Sequence, residues 1–294
     1  MPGRGAVLVT GTSSGIGEAT ALRLASLGFE VFAGVRKEED GERLRERAPE
    51  RVRPVMVDVT EAESIGAARA QVEEAVGAGG LAGLVNNAGG AVTGPLEFLP
   101  IEDLRWQLEL NTVAQVAVSQ AFLPLLRRAP QARLVNIGSI GGRMATQFNG
   151  AYNASKYAME GISDALRQEL APSGIHVALI EPGSIATEIW RKGLDNVDEE
   201  IGRIPPEGRT IYESRLRDVA SAAGAIAARG IPPAKVADAV EHALTARRPR
   251  TRYLVGPDAR VQAALAHVLP DRALDRVTGL SLRLLAREGR RRGP

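Results

Sequence analysis

The stretch Ala6-Val7-Leu8-Val9-Thr10-Gly11-Thr12-Ser13-Ser14-Gly15-Ile16-Gly17 decides the fold. Its four leading apolar residues read as a buried strand. Residues 18–27 then follow a helical pattern that Gly28 stops. A strand that turns through glycines into a helix N-terminus is suited to a pyrophosphate. The glycines let the backbone turn tightly and come close to the anion, and the first helical turn offers unpaired N–H groups and a partial positive charge. On this reading Gly11, Ser13, Ser14, Gly15, Ile16 and Gly17 face a dinucleotide. The spacing is G-x-x-x-G-x-G, not the commoner G-x-G-x-x-G. The same residues contain Gly11-Thr12-Ser13-Ser14-Gly15, which fits the G-x-S-x-G elbow of a serine hydrolase. That elbow normally follows several strands of its sheet, whereas only ten residues precede Gly11. No Gly-Lys-Ser/Thr follows, which argues against a kinase-type phosphate loop.

Moving outward, short apolar runs recur at residues 31–35, 55–57, 81–85, 134–137, 177–180 and 253–255. Helical patterns fill the gaps, notably at 61–76, 101–126 and 152–170. Near-continuous apolar strands separated by helices predict an α/β fold with about seven parallel strands covered on both faces. We expect one domain over residues 1–260, with 184–230 as an insertion over the substrate. Residues 261–294 are expected to be a helical extension ending in a basic tail, loose from Arg287 to Pro294.

Composition narrows the function. The 294 residues are 44% hydrophobic and 24% charged, enough for a sizeable core. A net charge of +2 argues against a dedicated nucleic-acid binder. Cysteine is absent, which excludes disulfides, a thiolate nucleophile and cysteine metal sites, and fits a reducing, cytoplasmic setting. The start of the chain has no signal-peptide pattern, and no run of ~20 apolar residues predicts a membrane span. His176, His242 and His267 have no partner at helical spacing, so no metal site is expected.

Tyr152 and Lys156 lie four residues apart, on one face of a predicted helix. An ammonium held near a phenol would lower the phenol's pKa from its usual ~10 and suit it to acid–base work. At the end of the second strand stand Arg36 and Lys37, where an acidic residue would hold an NAD ribose. Cations there suit a 2′-phosphate and favour NADP, with NAD as the alternative. Asp58 and Val59, after the third strand, are candidates to face the adenine.

Together these residues resemble the short-chain dehydrogenase/reductase family over roughly residues 5–260. The resemblance rests on the Gly11–Gly17 loop, Asn86-Asn87-Ala88-Gly89, Asn111, Ser139, Tyr152 with Lys156, and Pro182-Gly183 with Thr187. It implies a doubly wound Rossmann fold and a homodimer or homotetramer paired through the helices near 103–126 and 152–170. It also implies hydride transfer between a nicotinamide and the carbon of a small-molecule alcohol or ketone. Tyr152 would be the general acid–base, Ser139 would bond the substrate oxygen, and Lys156 would tune Tyr152 and hold the ribose. Asn111 would hold a water in a proton relay. Asn87, Ala88 and Gly89 would lie along the adenosine side, with Pro182, Gly183, Ile185 and Thr187 at the nicotinamide. Residues 31–36 and 180–187 look like the hydroxysteroid and retinol dehydrogenase branch, which implies a bulky apolar substrate. Met144, Phe148 and Trp190 are candidates to line its pocket. Epimerases and dehydratases share the fold but often have longer substrate domains. Nucleotide-sensing members typically lack the Tyr or the Lys.

Overall fold

The computed structural model describes residues 4–187 and 197–292. In chain order its main elements are β1 (Ala6–Val9), α1 (Gly15–Ser26), β2 (Glu30–Val35), α2 (Glu38–Arg47), β3 (Val52–Met56), α3 (Ala62–Val76) and β4 (Gly83–Asn86). Next come α4 (Ile101–Leu108), a π-helical turn (Glu109–Val113), α5 (Ala114–Leu126), β5 (Arg133–Ile137), α6 (Gly150–Leu170) and β6 (His176–Pro182). The chain ends with α7 (Val197–Arg203), α8 (Pro206–Arg229), α9 (Ala234–Thr245), β7 (Arg252–Val255), α10 (Pro257–Val268) and α11 (Asp271–Arg292).

The seven strands form one sheet in the order β3-β2-β1-β4-β5-β6-β7, and every pairing is parallel. Residues of the central β1 are all buried, as expected of a strand covered on both faces. One apolar layer joins Leu8, Phe32 and Leu84 to residues of α3 and α5, including Val72, Val118 and Phe122. The opposite layer joins Val7, Val9 and Val31 to α1, α2 and α9 through Leu24, Leu44 and Val240. Strand order reverses between β1 and β4, which opens a crevice beyond their carboxyl ends. The Gly11–Gly17 loop stands there.

Boundaries differ from the sequence reading in instructive ways. β3 begins at Val52, three residues before the expected run, and includes Pro54. Because β3 is the outer strand, a residue without an N–H is tolerated in it. Two helices, α7 and α8, account for most of the described part of the insertion at 184–230.

The expectation of a loose basic tail is overturned: α11 continues through Arg287 to Arg292. It lies along α8, tied by Arg229 to Glu288 and by Arg290 to Asp218. Gly289 explains how closely the two helices approach, since a Cβ there would come within 1.9 Å of the Ser221 carbonyl oxygen. No described helix is long and apolar enough to cross a membrane. Gly289→Leu should push α11 off α8, cost about 1–3 kcal/mol as overpacking does, and lower Tm by several degrees. An unchanged melting curve would show that the packing is not tight.

Candidate active site

The loop after β1 is built without side chains where backbone must meet backbone. A Cβ on Gly17 would stand 2.1 Å from the Gly11 carbonyl oxygen and 2.5 Å from Asn87 Nδ2. A Cβ on Gly11 would stand 2.7 Å from the Ala88 Cα. Gly11 and Gly15 also take positive φ of 67° and 61°, which L side chains rarely adopt. Asn87 Nδ2 donates to the carbonyls of Thr10 and Gly11 at 2.9 and 3.0 Å. The Thr10 hydroxyl accepts from the backbone N–H groups of Asn87 and Ala88, both at 3.0 Å. Thr12 donates its hydroxyl proton to the Gly34 carbonyl at 3.0 Å. The β1, β2 and β4 ends are thereby locked together. Ser14 caps α1 without a side-chain hydrogen bond, so its first-turn N–H groups remain available to an anion. Ile16 packs partly into the apolar layer behind the loop.

At the adenosine end, Arg36 is exposed beside Asp58 and helps hold that carboxyl below its ordinary range. The main cause is Thr60, whose hydroxyl donates to Asp58 Oδ1 at 2.7 Å. Thr60 N–H takes the same oxygen at 3.0 Å, forming a tight turn. Val59 sends its side chain into the core, so only its backbone can face a ligand. The sequence reading missed Arg43. From α2 it reaches the loop and donates to the Ser13 carbonyl at 2.6 Å. That places a cation beside the phosphate loop.

The catalytic candidates converge around α6 and the end of β5. Ser139 caps a short 3₁₀ turn, Ile140–Gly142, and its hydroxyl accepts from the Gly141 N–H at 3.0 Å. A Cβ on Gly141 would lie 3.2 Å from Tyr152 Cε1 and 3.3 Å from Ser139 Oγ, so this glycine keeps room for the ring beside the hydroxyl. Lys156 is buried, and its Nζ donates to the Ile137 carbonyl at 2.9 Å. Nζ lies 5.8 Å from the Tyr152 ring centroid. Burial pushes Lys156 down to about 8.

One expectation is corrected here. The Lys156 cation does not outweigh burial, which pushes Tyr152 above its ordinary value with only the nearby Ser139 hydroxyl opposing it. Asn111 sits in the π-helical turn, a feature that often marks a functional site. It is buried, its Nδ2 donates to the Gly90 carbonyl at 2.9 Å and to the Ser155 hydroxyl at 3.1 Å, and its Oδ1 accepts from the Gly90 N–H at 3.0 Å. No described side-chain contact links it to Lys156. Gly89 lies against it, since a Cβ there would be 3.1 Å from Asn111 Oδ1.

Pro182 ends β6, and Gly183 begins the turn beyond it. A Cβ on Gly183 would fall 2.4 Å from Asp258 Oδ1, while Asp258 Oδ2 accepts from the Ser184 N–H at 2.7 Å. Asp258 therefore fixes this turn, a role that sequence spacing alone could not reveal. Ile185 is buried in the core and pairs through its backbone with Ile231. Thr187 returns to the loop, with its Cγ2 3.3 Å from where a Gly15 Cβ would be.

Phe148 joins Ile201, Ile204 and Leu216 in a separate apolar cluster that includes Phe98 and Tyr212. Its ring meets Tyr212 edge-on at 5.9 Å, and Tyr212 meets Phe98 at 6.1 Å. Phe148 holds a φ of 65°, a strained value of the kind that collects at ligand sites. Phe98 and Tyr212 thus pack around the expected Phe148. Met144 is buried near Asn153, whose Nδ2 donates to its carbonyl at 3.4 Å. Trp190 lies outside the described residues.

A glycine-lined cradle, open N–H groups at a helix start and a buried ammonium at the other end fit a nicotinamide dinucleotide. A family model for short chain dehydrogenase matches residues 5–198. The chain is 37% identical to the NADPH-dependent 3-dehydrocapnine reductase of Ornithobacterium rhinotracheale, covering 96% of this chain and 98% of that one. It is 36% identical to retinol dehydrogenase 5 of Mus musculus, covering 92% and 86%. A solved short chain dehydrogenase from Burkholderia cenocepacia, in complex with NADP, superposes with a TM-score of 0.71 at 27% identity, covering 94% and 97%. The chain belongs to the short-chain dehydrogenase/reductase family, in its hydroxysteroid/retinol dehydrogenase-like branch, and is an NAD(P)-dependent oxidoreductase.

Proposed function

We propose that this enzyme is an NADP-dependent ketone reductase or alcohol dehydrogenase for a bulky apolar substrate, with Tyr152 as its general acid–base. The observation that carries this reading is the Tyr152 ring set beside the Ser139 hydroxyl at Gly141 and next to the buried Lys156 ammonium. The nicotinamide supplies the hydride donor or acceptor when bound. Ser139 donates a hydrogen bond to the substrate oxygen as charge grows on it. Tyr152 gives its proton to that oxygen in reduction and takes it back in alcohol oxidation. At neutral pH a phenol shifted upward is almost wholly protonated, the form that reduction needs. Lys156, 5.8 Å from the ring centroid, offsets the phenolate charge left behind. Phe148, four residues before Tyr152 and packed with Phe98 and Tyr212, supports an apolar substrate. NADP is favoured by Arg36, with Arg43 close by at Ser13.

Four outcomes test this reading. With NADPH and an apolar ketone, Tyr152→Phe should lose roughly 10²–10⁴-fold in kcat/KM while NADPH binding stays within a few-fold. Full activity in the variant would remove Tyr152 from the proton step. For Lys156 the sign is fixed by its lowered value: the ammonium is present below about pH 8 and lost above it. The kcat/KM for reduction should therefore fall on the alkaline side with a midpoint near that value; a flat profile from pH 7 to 9.5 would contradict the role given to Lys156. Arg36→Asp should weaken NADPH roughly 10–100-fold by nicotinamide fluorescence and leave NADH little changed. A native preference for NADH would reverse the cofactor assignment. Finally, Trp106, Val113 and Tyr157 expose apolar surface on α4, the π-helical turn and α6. We therefore expect a dimer or tetramer by light scattering, and a monomer at micromolar concentration would count against that surface.

A further inference from the structure

A buried ion network lies beneath the active-site turns, and the mechanism above does not use it. Glu181 has no exposed surface and stands immediately before Pro182-Gly183. Arg143 follows the 3₁₀ turn that begins after Ser139. Its Nε and Nη2 donate to the two oxygens of Glu181, the second at 2.9 Å. Glu160 lies one turn beyond Lys156 in α6, close enough to Glu181 for each carboxyl group to feel the other's charge. It also accepts from Arg252 Nε and Nη2 of β7, both at 3.1 Å. Arg252 donates further to Asp164 at 2.8 Å. Glu160 packs directly beneath the Ser139 turn, with its Cγ 3.3 Å from the position of a Gly142 Cβ.

The three segments joined in this way carry Ser139, Tyr152 with Lys156, and the Pro182-Gly183 turn. A guanidinium held by both oxygens of a buried carboxylate resists both sliding and rotation. Glu160 Oε1 is buried and has no hydrogen-bond partner among the described residues. Arg167 donates to the same Asp164 at 3.1 Å, so Arg143, Arg252 and Arg167 set three cations against Glu160, Glu181 and Asp164. Tyr157 is the remaining titratable group beside Glu160, and Lys156 points away to the Ile137 carbonyl. Burial and the facing Glu181 push Glu160 up to about 7, and Arg252 opposes them.

We propose that Arg143, Glu181 and Glu160 are positioning residues: a buried ion network that holds the Ser139 turn, the Tyr152–Lys156 helix and the Pro182-Gly183 turn in mutual register. The proposal rests on the roles given above to Ser139 and Tyr152. It touches neither substrate nor nicotinamide and acts only through geometry, where displacements near 1 Å can cost up to about 10²-fold in rate.

The test is kinetic, with NADPH and 2-decanone as the apolar ketone. Arg143→Met should lower kcat tenfold or more and leave the ketone KM and the NADPH Kd within about twofold. Arg143→Lys should recover part of the loss. Unchanged kcat in Arg143→Met, or losses that appear only in KM or Kd, would overturn the positioning role. If Arg143→Met does not fold, Arg143→Lys is read alone, and native kcat there overturns the proposal. Tyr152→Phe, run in parallel, separates the two readings. Full activity in that variant condemns the catalytic assignment, whereas an inactive Tyr152→Phe beside fully active Arg143 variants condemns only the network.

Discussion

A buried ammonium must find a partner, and Lys156 finds the carbonyl of Ile137. This contact, with Asn136 Nδ2 donating to Ser163 Oγ at 2.9 Å, pins α6 to β5. Because burying a charge without compensation is costly, α6 cannot slide along the sheet without losing it. Tyr152, one turn earlier on the same face, is thereby delivered beside the Ser139 turn that β5 leads into. The proton donor, the group that bonds the substrate oxygen and the cation beneath them are consequences of one helix register.

The opposite end of the crevice obeys a steric rule, not an electrostatic one. Gly11, Gly17 and Ala88 meet at distances that leave no room for larger side chains, and Asn87 clamps the loop through two backbone carbonyls. The backbone thus comes to the surface just where α1 begins. Asp258 does similar work at Gly183, where a carboxylate fills the space that a Cβ would need. Contacts from residues distant in sequence therefore fix both ends of the cofactor cradle.

How much of this was legible beforehand depended on the range of the signal. Apolar strand runs and glycine spacing are local, so the parallel sheet, its strand count and the phosphate loop could be read directly. Tyr152 and Lys156 showed through helical spacing. Pro54 hid the start of β3, because its tolerance depends on β3 being an outer strand, a property of the assembled sheet. The arginines after Arg287 looked like a solvated tail, since their pairing with Asp218 and the fit of Gly289 against Ser221 arise only when α8 is in place. Arg43, Phe98, Tyr212 and Asp258 carried no local motif. The sign of the Tyr152 shift was also hidden, because desolvation depends on everything packed around the ring.

The central claim is that Tyr152 is a protonated donor tuned by Ser139. With only four tyrosines in the chain, carbon-13 NMR of protein labelled at the tyrosine hydroxyl-bearing carbon can follow it directly, with Tyr152→Phe giving the assignment. The account predicts that Tyr152 titrates above the ordinary phenol value of 10.0 and climbs further in Ser139→Ala. A Tyr152 already ionised at pH 8, or one indifferent to the loss of the Ser139 hydroxyl, would contradict it.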